Sequence, residues 1–118
     1  MITIYQIHLT NEEINRANRE GFEAVPAVLA KNRMMRGFNH SKFSEDYLQF
    51  YRPTYEVDTD DLNVAFEATN LWEGYNVRRI ARGSSSSVGD IFVKDGDCYI
   101  VDNFGFVAVG AYPQLENV

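Results

Sequence analysis

A change of hydrophobic period near the C-terminal end is the feature that most constrains this fold. The helical spacing of apolar residues ends before Val88, and we predict β-strands from Val88 to Lys94 and again from Asp97 to Asp102. Asp95-Gly96 joins these two segments, and this dipeptide is a strong signal for the type I′ turn of a β-hairpin. Residues 104–109 add a third apolar strand, so the C-terminal third predicts a β-meander.

The N-terminal end predicts one strand followed by a helix. Residues 2–8 alternate but carry apolar groups on both sides, which is typical of a central strand or of one covered on two faces. Thr10 and Glu13 form a capping box, in which each side chain binds the other residue's backbone amide. We therefore predict a helix over residues 10–20 that turns Ile14 and Ala17 inward and ends at Gly21.

The middle of the chain predicts further helices. Pro26 suits the first turn of a helix, where a missing N–H costs nothing. Ser44-Glu45-Asp46 has the pattern of an N-cap and an acidic first turn, and it predicts a short helix that Pro53 closes. Thr59-Asp60-Asp61 predicts the cap of another helix, which runs to about Leu71.

These elements predict a single α+β domain over residues 1–118. The N-terminal strand joins the C-terminal hairpin and meander in a small, mostly antiparallel sheet, and three or four helices pack on one face. Residues 55–57 are a brief extended candidate, and residues 113–118 should be frayed. The apolar hairpin edge at 97–109 favours pairing with a second copy, so we expect that a homodimer can form.

Composition excludes several classes of protein. Hydrophobic residues make up 45% of the chain and aromatic residues 14%, which excludes a disordered chain. The net charge of -6 is wrong for a protein that coats nucleic acid, because phosphates are bound by Lys and Arg. Since the sequence has neither a signal-peptide pattern nor a long apolar run, we expect a cytoplasmic protein without a membrane partner. If a phage encodes the protein, the compartment we expect is the cytoplasm of the host cell.

The charges are segregated along the chain, and two interpretations of the acidic part stay open. Residues 53–76 hold no Lys or Arg but six acidic side chains, Glu56, Asp58, Asp60, Asp61, Glu67 and Glu73. They form either an acidic face that meets a basic partner surface, or a solvated helix whose first carboxylates only cap it.

Residue types that carry catalysis are sparse. The only histidines are His8 and His40, and the one cysteine, Cys98, lies just after a hairpin turn rather than at the start of a helix, where its pKa would fall. The neighbouring acidic pairs each fit a helix cap, and no glycine motif for a dinucleotide or a P-loop is present. We therefore predict a protein that is not an enzyme, with no catalytic residue, no metal site and no cofactor.

One segment has the composition of an anion site. Gly83 is followed by four serines, so Arg82, Ser84, Ser85 and Ser86 can surround a phosphate-sized anion with hydroxyls, amides and charge. The alternative is a solvated loop in which the three arginines of residues 77–83 pair with the acidic helix just upstream.

The same C-terminal segment resembles a known group of proteins. Residues 84–93, Asp95-Gly96, residues 99–102 and Phe104-Gly105-Phe106 are similar to YodL-like domains and related small accessory proteins of bacteriophages and mobile elements. Those share an S-x-S-V-[GS]-D step into a hairpin and a closing aromatic-Gly-Phe. The matching residues are Ser85, Ser87, Val88, Gly89, Asp90, Gly105 and Phe106.

This resemblance is confined to the C-terminal third, and the motif also has a structural interpretation. Ser87 and Asp90 can satisfy backbone amides at the strand entry, and Gly89 permits a tight bend. Gly105 lets Phe104 and Phe106 turn inward. The resemblance implies a small, non-enzymatic, phage-type protein that inhibits or redirects a bacterial host protein, in host takeover or anti-defence.

Two functional hypotheses follow. The first is binding to a bacterial host protein, because Trp, Tyr and Arg are frequent binding anchors. Its candidate residues are Trp72, Glu73, Tyr75, Arg78, Arg79, Asp60 and Asp61. The alternative is a protein that binds or sequesters a nucleic acid or nucleotide through Arg78–Arg82 and the serines 84–87, next to an exposed aromatic such as Tyr75.

Overall fold

The computed structural model describes residues 1–35, 43–71, 76–112 and 115. Within these residues lie three α-helices, two 3₁₀ helices and one β-sheet. The helices are α1 (Asn11–Glu20), α2 (Pro26–Met35) and α3 (Leu62–Leu71), with 3₁₀ helices at Phe22–Ala24 and Glu45–Phe50. The strands are β1 (Ile2–Ile7), β2 (Tyr51–Val57), β3 (Val77–Arg79), β4 (Ile91–Lys94), β5 (Asp97–Asp102) and β6 (Gly105–Gly110).

The sheet has six strands in the order β3-β2-β1-β4-β5-β6, and all neighbours are antiparallel. The predicted α+β class is confirmed, as is the joining of the N-terminal strand to the C-terminal meander. The predicted hairpin turn is also confirmed, since Asp95 and Gly96 have φ angles of 50° and 83°. β1 lies near the centre of the sheet, which places its C-terminal end among several elements.

The helices cover both faces of the sheet rather than the single face predicted. Ile2 and Ile4 of β1 pack in one apolar cluster with α3. Tyr5 and Ile7 pack in a second cluster, on the opposite side, with α2 and the Glu45–Phe50 helix. The reason is the composition of β1: apolar side chains on both faces must each be covered by a helix.

The strand β2 was not predicted at its full length. Residues 51–57 form one continuous strand, which includes Pro53 instead of ending a helix there. Tyr5 pairs with Pro53 and Ile4 with Tyr55, so Thr54 is the extra residue of a β-bulge. A bulge interrupts the ladder of hydrogen bonds, and this is where a strand tolerates proline.

The predicted start and end of α1 are confirmed, but the predicted direction of one side chain is wrong. The Thr10 hydroxyl accepts from the Glu13 amide (3.1 Å), and the Glu13 carboxylate accepts from the Thr10 amide (3.0 Å). Ala17 is buried, whereas Ile14 is 42% exposed. α1 packs through Ala17 against the start of α2, and Ile14 therefore points into a cleft instead of the core.

Two predictions about the C-terminal end are corrected. Phe104 does not turn inward: it lies in the turn between β5 and β6 and is 99% exposed. Phe106 does pack, with its ring centroid 5.0 Å from that of Phe92. Leu115 is buried and its carbonyl accepts the Tyr5 hydroxyl, so this residue of the predicted frayed tail is held against the sheet.

The hairpin edge that we expected to pair with a second copy is narrower than predicted. β5 lies inside the sheet, between β4 and β6, so of these two C-terminal strands β6 alone lies at an edge. The opposite edge strand, β3, has three residues. The homodimer stays a prediction.

Two glycines with the same φ angle allow a matched test of packing at the entry to β4. Gly89 and Gly105 both have φ of +93°, but a Cβ at residue 89 would lie 2.6 Å from the Met34 carbonyl oxygen, whereas one at residue 105 would meet nothing within 4 Å. We expect Gly105→Ala to lower the free energy of unfolding by about 1–2 kcal/mol, because of φ alone. Gly89→Ala should cost about 1–3 kcal/mol more, because of the overlap.

The measurement is urea denaturation of both variants and of the unsubstituted protein. Equal losses of stability would contradict the close approach of α2 to the turn at Gly89.

Candidate functional site

A buried glutamine on β1 holds the serine loop against the sheet. Gln6 is 6% exposed. Its Nε2 donates to Asp90 Oδ2 (2.9 Å) and to the Ser84 carbonyl (3.0 Å), and its Oε1 accepts from the Ser84 amide (3.2 Å). We call this set of hydrogen bonds the Gln6 bridge. One amide side chain thus fixes the start of the loop and the carboxylate that ends it.

The backbone amides of the serine loop bind protein acceptors. The Ser87 amide donates to Asp90 Oδ2 (3.0 Å), which confirms that Asp90 satisfies an amide at the strand entry. Ser86 is buried, and its amide donates to the Thr69 carbonyl (3.3 Å) while the two hydroxyls hydrogen-bond each other. Since the amides of residues 84, 86 and 87 are engaged, an anion near this loop must be bound mainly by side chains.

Gly83 allows the loop to lie this close to the sheet. A Cβ at this position would overlap the Thr54 side chain and the amide oxygen of Gln6. Just before it, the amides of Ile80 and Ala81 both donate to the Thr54 carbonyl, at 2.8 and 3.3 Å. The segment 80–84 therefore forms a wall beside the bulge of β2.

This wall is one side of a cleft of about 840 Å³ at the C-terminal end of β1. Its other sides come from β2, from the start of α1 and from Lys31 of α2. Among the lining residues that the structure describes, the charged and titratable ones are Lys31, Arg52, Arg82 and His8, with no Asp or Glu. We call it the cationic cleft. It concentrates positive charge on a protein whose net charge is -6.

Within the described ranges, the cations of the cleft form no direct ion pairs. Lys31 Nζ donates to the Ile7 carbonyl (3.3 Å), and Arg52 donates to the carbonyls of Gln49 and Tyr51, both at 2.8 Å. These acceptors are uncharged backbone groups. The exposed Arg82 has no hydrogen bond or ion pair with any residue in the described ranges. The guanidinium groups of Arg52 and Arg82 are thus available to an anion.

The remaining lining of the cleft is partly apolar. Leu9, Ile14 and Ile80 contribute, and the last two are 42% and 39% exposed. A site with cations on some walls and aliphatic groups on others fits a ligand that has an anionic group and a less polar body. No Phe, Tyr or Trp is among the lining residues that the structure describes, whereas grooves for single-stranded nucleic acid typically stack bases on aromatic rings.

A second, smaller cavity of about 50 Å³ adjoins the cleft. Asp90 lines it, and it shares Gln6, Ile7, Lys31 and Ser84 with the cationic cleft. We call it the Asp90 cavity. Burial raises the pKa of Asp90 from its ordinary value of 3.8 to about 7, although hydrogen bonds from Gln6 and Ser87 and the charge of Lys31 act in the opposite direction.

The three predicted arginines do not converge on one site. Arg78 on β3 pairs with Glu56 of β2 (2.7 Å), and Arg79 lies over the Tyr55 ring, 6.0 Å from its centroid. Adjacent residues of a strand face opposite sides of the sheet. Only Arg82 reaches the cleft, together with Ser84. The predicted pairing of the arginines with the acidic helix is not seen for Arg78, whose partner is on a strand.

The predicted acidic residues have local partners. Asp60 pairs with the amino group of Met1 (2.9 Å), which lowers the pKa of that carboxyl. Asp61 caps α3, since its carboxylate accepts from the amides of Asn63 and Val64 at 2.9 and 3.2 Å. The predicted anchors Trp72, Glu73 and Tyr75 lie outside the described residues. Binding to a host protein therefore stays a prediction.

Sequence reasoning missed the cations that the fold brings to Arg82. These cations come from three different elements, since His8 follows β1, Lys31 lies in α2 and Arg52 lies in β2. No spacing in the sequence therefore relates them. The one available signal was Gln6, a polar residue at a position of β1 that alternation assigns to a buried face. A buried polar side chain needs partners, and its partners here define the site.

Comparison with protein-family models, with curated proteins and with solved structures found no match to this chain. The resemblance to YodL-like proteins therefore stays a prediction. Among the described residues, no helix combines the length and apolar character that crossing a bilayer requires. No group of three or more His, Cys, Asp or Glu side chains in those ranges is arranged to hold a metal ion.

The pKa of Asp90 predicts a pH dependence of stability. Because this pKa is raised from 3.8 to about 7 on folding, the folded state binds the proton more tightly than the unfolded state. The resulting stabilisation is complete below about pH 4 and is lost as the pH rises to about 7. Asp90→Asn cannot titrate and therefore lacks this dependence.

Urea denaturation at several pH values measures the difference in free energy of unfolding between wild type and Asp90→Asn. Between about pH 4 and about pH 7, we expect the free energy of unfolding of the wild type to fall relative to that of Asp90→Asn. The expected fall is up to about 1.4 kcal/mol for each pH unit. A difference that does not change with pH would show that Asp90 titrates normally in the folded protein.

Proposed function

We propose that this protein is a non-enzymatic binding protein for a small phosphate-bearing ligand, of the nucleotide class, which it holds in the cationic cleft. The observation that carries the proposal is the charge of the described lining residues, which include Lys31, Arg52, Arg82 and His8 but no carboxylate. On a chain with a net charge of -6, this is a local reversal of sign. A concave site of one charge concentrates ligands of the opposite charge.

Size and shape support a ligand of nucleotide dimensions. The cleft of about 840 Å³ falls within the range of about 300–1,000 Å³ that is usual for small-molecule sites. Arg52 of β2 and Arg82 of the neighbouring 80–84 segment both line the cleft. Guanidinium groups bind phosphate oxygens in a bidentate manner, so these two side chains are the phosphate ligands in the proposal. The ribose and base then lie against Leu9 and the two half-exposed isoleucines.

The overall charge favours a small anion over a polyanion. A nucleic acid strand extends beyond the cleft and meets the acidic surface, which repels its phosphates. A mononucleotide fits entirely inside, where it meets only the local cations. The absence of aromatic rings from the described lining points the same way, because sequence-tolerant strand binding relies on base stacking. The second hypothesis named two ligand classes, a nucleic acid and a nucleotide. Of these two, a nucleotide has the stronger support.

The test is calorimetric titration with AMP, CMP, GMP and UMP at low salt, together with a single-stranded oligonucleotide. We expect at least one mononucleotide to bind, with an affinity that falls as salt increases. Arg82→Glu should weaken this binding by at least about tenfold, since it replaces an attractive charge by a repulsive one.

Arg78→Glu is the matched control, because it makes the same change of charge on the strand β3, outside the cleft lining. It should bind within about twofold of the wild type, because a distant surface charge is screened. Three results would contradict the proposal: no binding of any mononucleotide, equal effects of the two variants, or binding of the oligonucleotide alone.

A further inference from the structure

One oxygen of the buried Asp90 carboxylate has no protein partner in the described structure. Both hydrogen bonds to this side chain, from Gln6 Nε2 (2.9 Å) and from the Ser87 amide (3.0 Å), end on Oδ2. Among the described residues, no fully enclosed side-chain nitrogen or oxygen lacks a hydrogen-bond partner. Oδ1 is therefore not fully enclosed, although the residue is only 9% exposed. Asp90 itself lines a small cavity.

The Asp90 cavity has room for a small polar group. About 50 Å³ exceeds the roughly 10–15 Å³ that one water needs, and it is well below the roughly 150 Å³ that accommodates a benzene ring. Because Gln6, Lys31 and Ser84 line both this cavity and the cationic cleft, the two spaces are adjacent. A substituent that enters this cavity from the cleft can be a small group, but not a ring.

We propose that the Asp90 cavity is an amino-group subsite of the cationic cleft, in which Asp90 Oδ1 accepts a hydrogen bond from an exocyclic amino group of the bound base. This inference rests on the proposed function and narrows its ligand. Cytosine, adenine and guanine carry such a group. Uracil and hypoxanthine present a carbonyl or a hydrogen at the corresponding positions, so their nucleotides should bind more weakly.

The groups around Asp90 determine when Oδ1 can accept. Lys31 of α2 supplies the one nearby positive charge among the described residues, and it favours the ionised carboxylate. Tyr51 of β2 donates its hydroxyl to the Gly89 carbonyl, and burial raises the pKa of that hydroxyl, so it is uncharged. Below about pH 7 a proton on Asp90 must sit on Oδ1, because Oδ2 already accepts two hydrogen bonds. The subsite then presents a donor instead of an acceptor.

CMP and UMP test the inference directly, because the amino group of one base replaces the carbonyl of the other. We expect the wild type to bind CMP at least about tenfold more tightly than UMP at about pH 8, as a hydrogen bond to a charged group allows. GMP and IMP form a second matched pair, in which only the 2-amino group differs.

Asp90→Asn is the decisive variant. Its amide oxygen can accept from Gln6 and Ser87, which leaves Nδ2 as a donor toward the cavity. The preference should then reverse, with UMP bound more tightly than CMP. If this variant does not fold, the wild type at about pH 5.5 serves instead, and its preference for CMP should fall to about twofold or less.

The outcomes separate this inference from the proposed function. Equal affinities of the wild type for CMP and UMP would overturn the amino-group subsite and leave the nucleotide cleft intact. A preference for CMP that persists in Asp90→Asn, or at about pH 5.5, would also overturn the subsite. Failure of every mononucleotide to bind would overturn both.

Discussion

The fold of the C-terminal half depends on one buried amide. Gln6 sits on the central strand, where an unsatisfied amide would be costly, yet each of its polar atoms has a partner in the serine loop or in Asp90. Because these partners lie about eighty positions further along the chain, the Gln6 bridge joins the first strand to the entry of the C-terminal meander. The glycine at position 83 makes this approach sterically possible.

The cationic cleft is a consequence of that arrangement. Thr54, the bulge residue of β2, accepts hydrogen bonds from the amides of Ile80 and Ala81. The 80–84 segment thereby brings Arg82 to the cleft that Arg52 also lines. Three of the acidic side chains have partners elsewhere: Asp61 caps α3, Asp60 pairs with the amino group of Met1, and Glu56 of β2 pairs with Arg78. A net charge of -6 and a local cationic site are therefore compatible, and together they favour a small anion over a polyanion.

Local signals were sufficient to predict most of the elements, but not the site. The capping box of α1 and the Asp95-Gly96 turn are encoded by neighbouring residues, and both are confirmed. The length of β2 could not be predicted, because Pro53 is compatible with a strand only at a bulge that tertiary pairing creates. The cleft brings Lys31, Arg52 and Arg82 together from separate elements, and no sequence period records such proximity. Only the polar side chain of Gln6 indicated that another segment must supply hydrogen-bond partners to β1.

Amide hydrogen exchange in Gln6→Ala tests most directly whether the Gln6 bridge holds the loop that forms the cleft wall. The reference is the buried Ala65 amide, which donates to the Asp61 carbonyl at the start of α3 (3.0 Å) and should stay protected in the variant. We expect the Ser84 amide, which donates to Gln6, to exchange at least about tenfold faster than in the wild type. Unchanged protection of Ser84 in a folded Gln6→Ala protein would contradict this role of the Gln6 bridge.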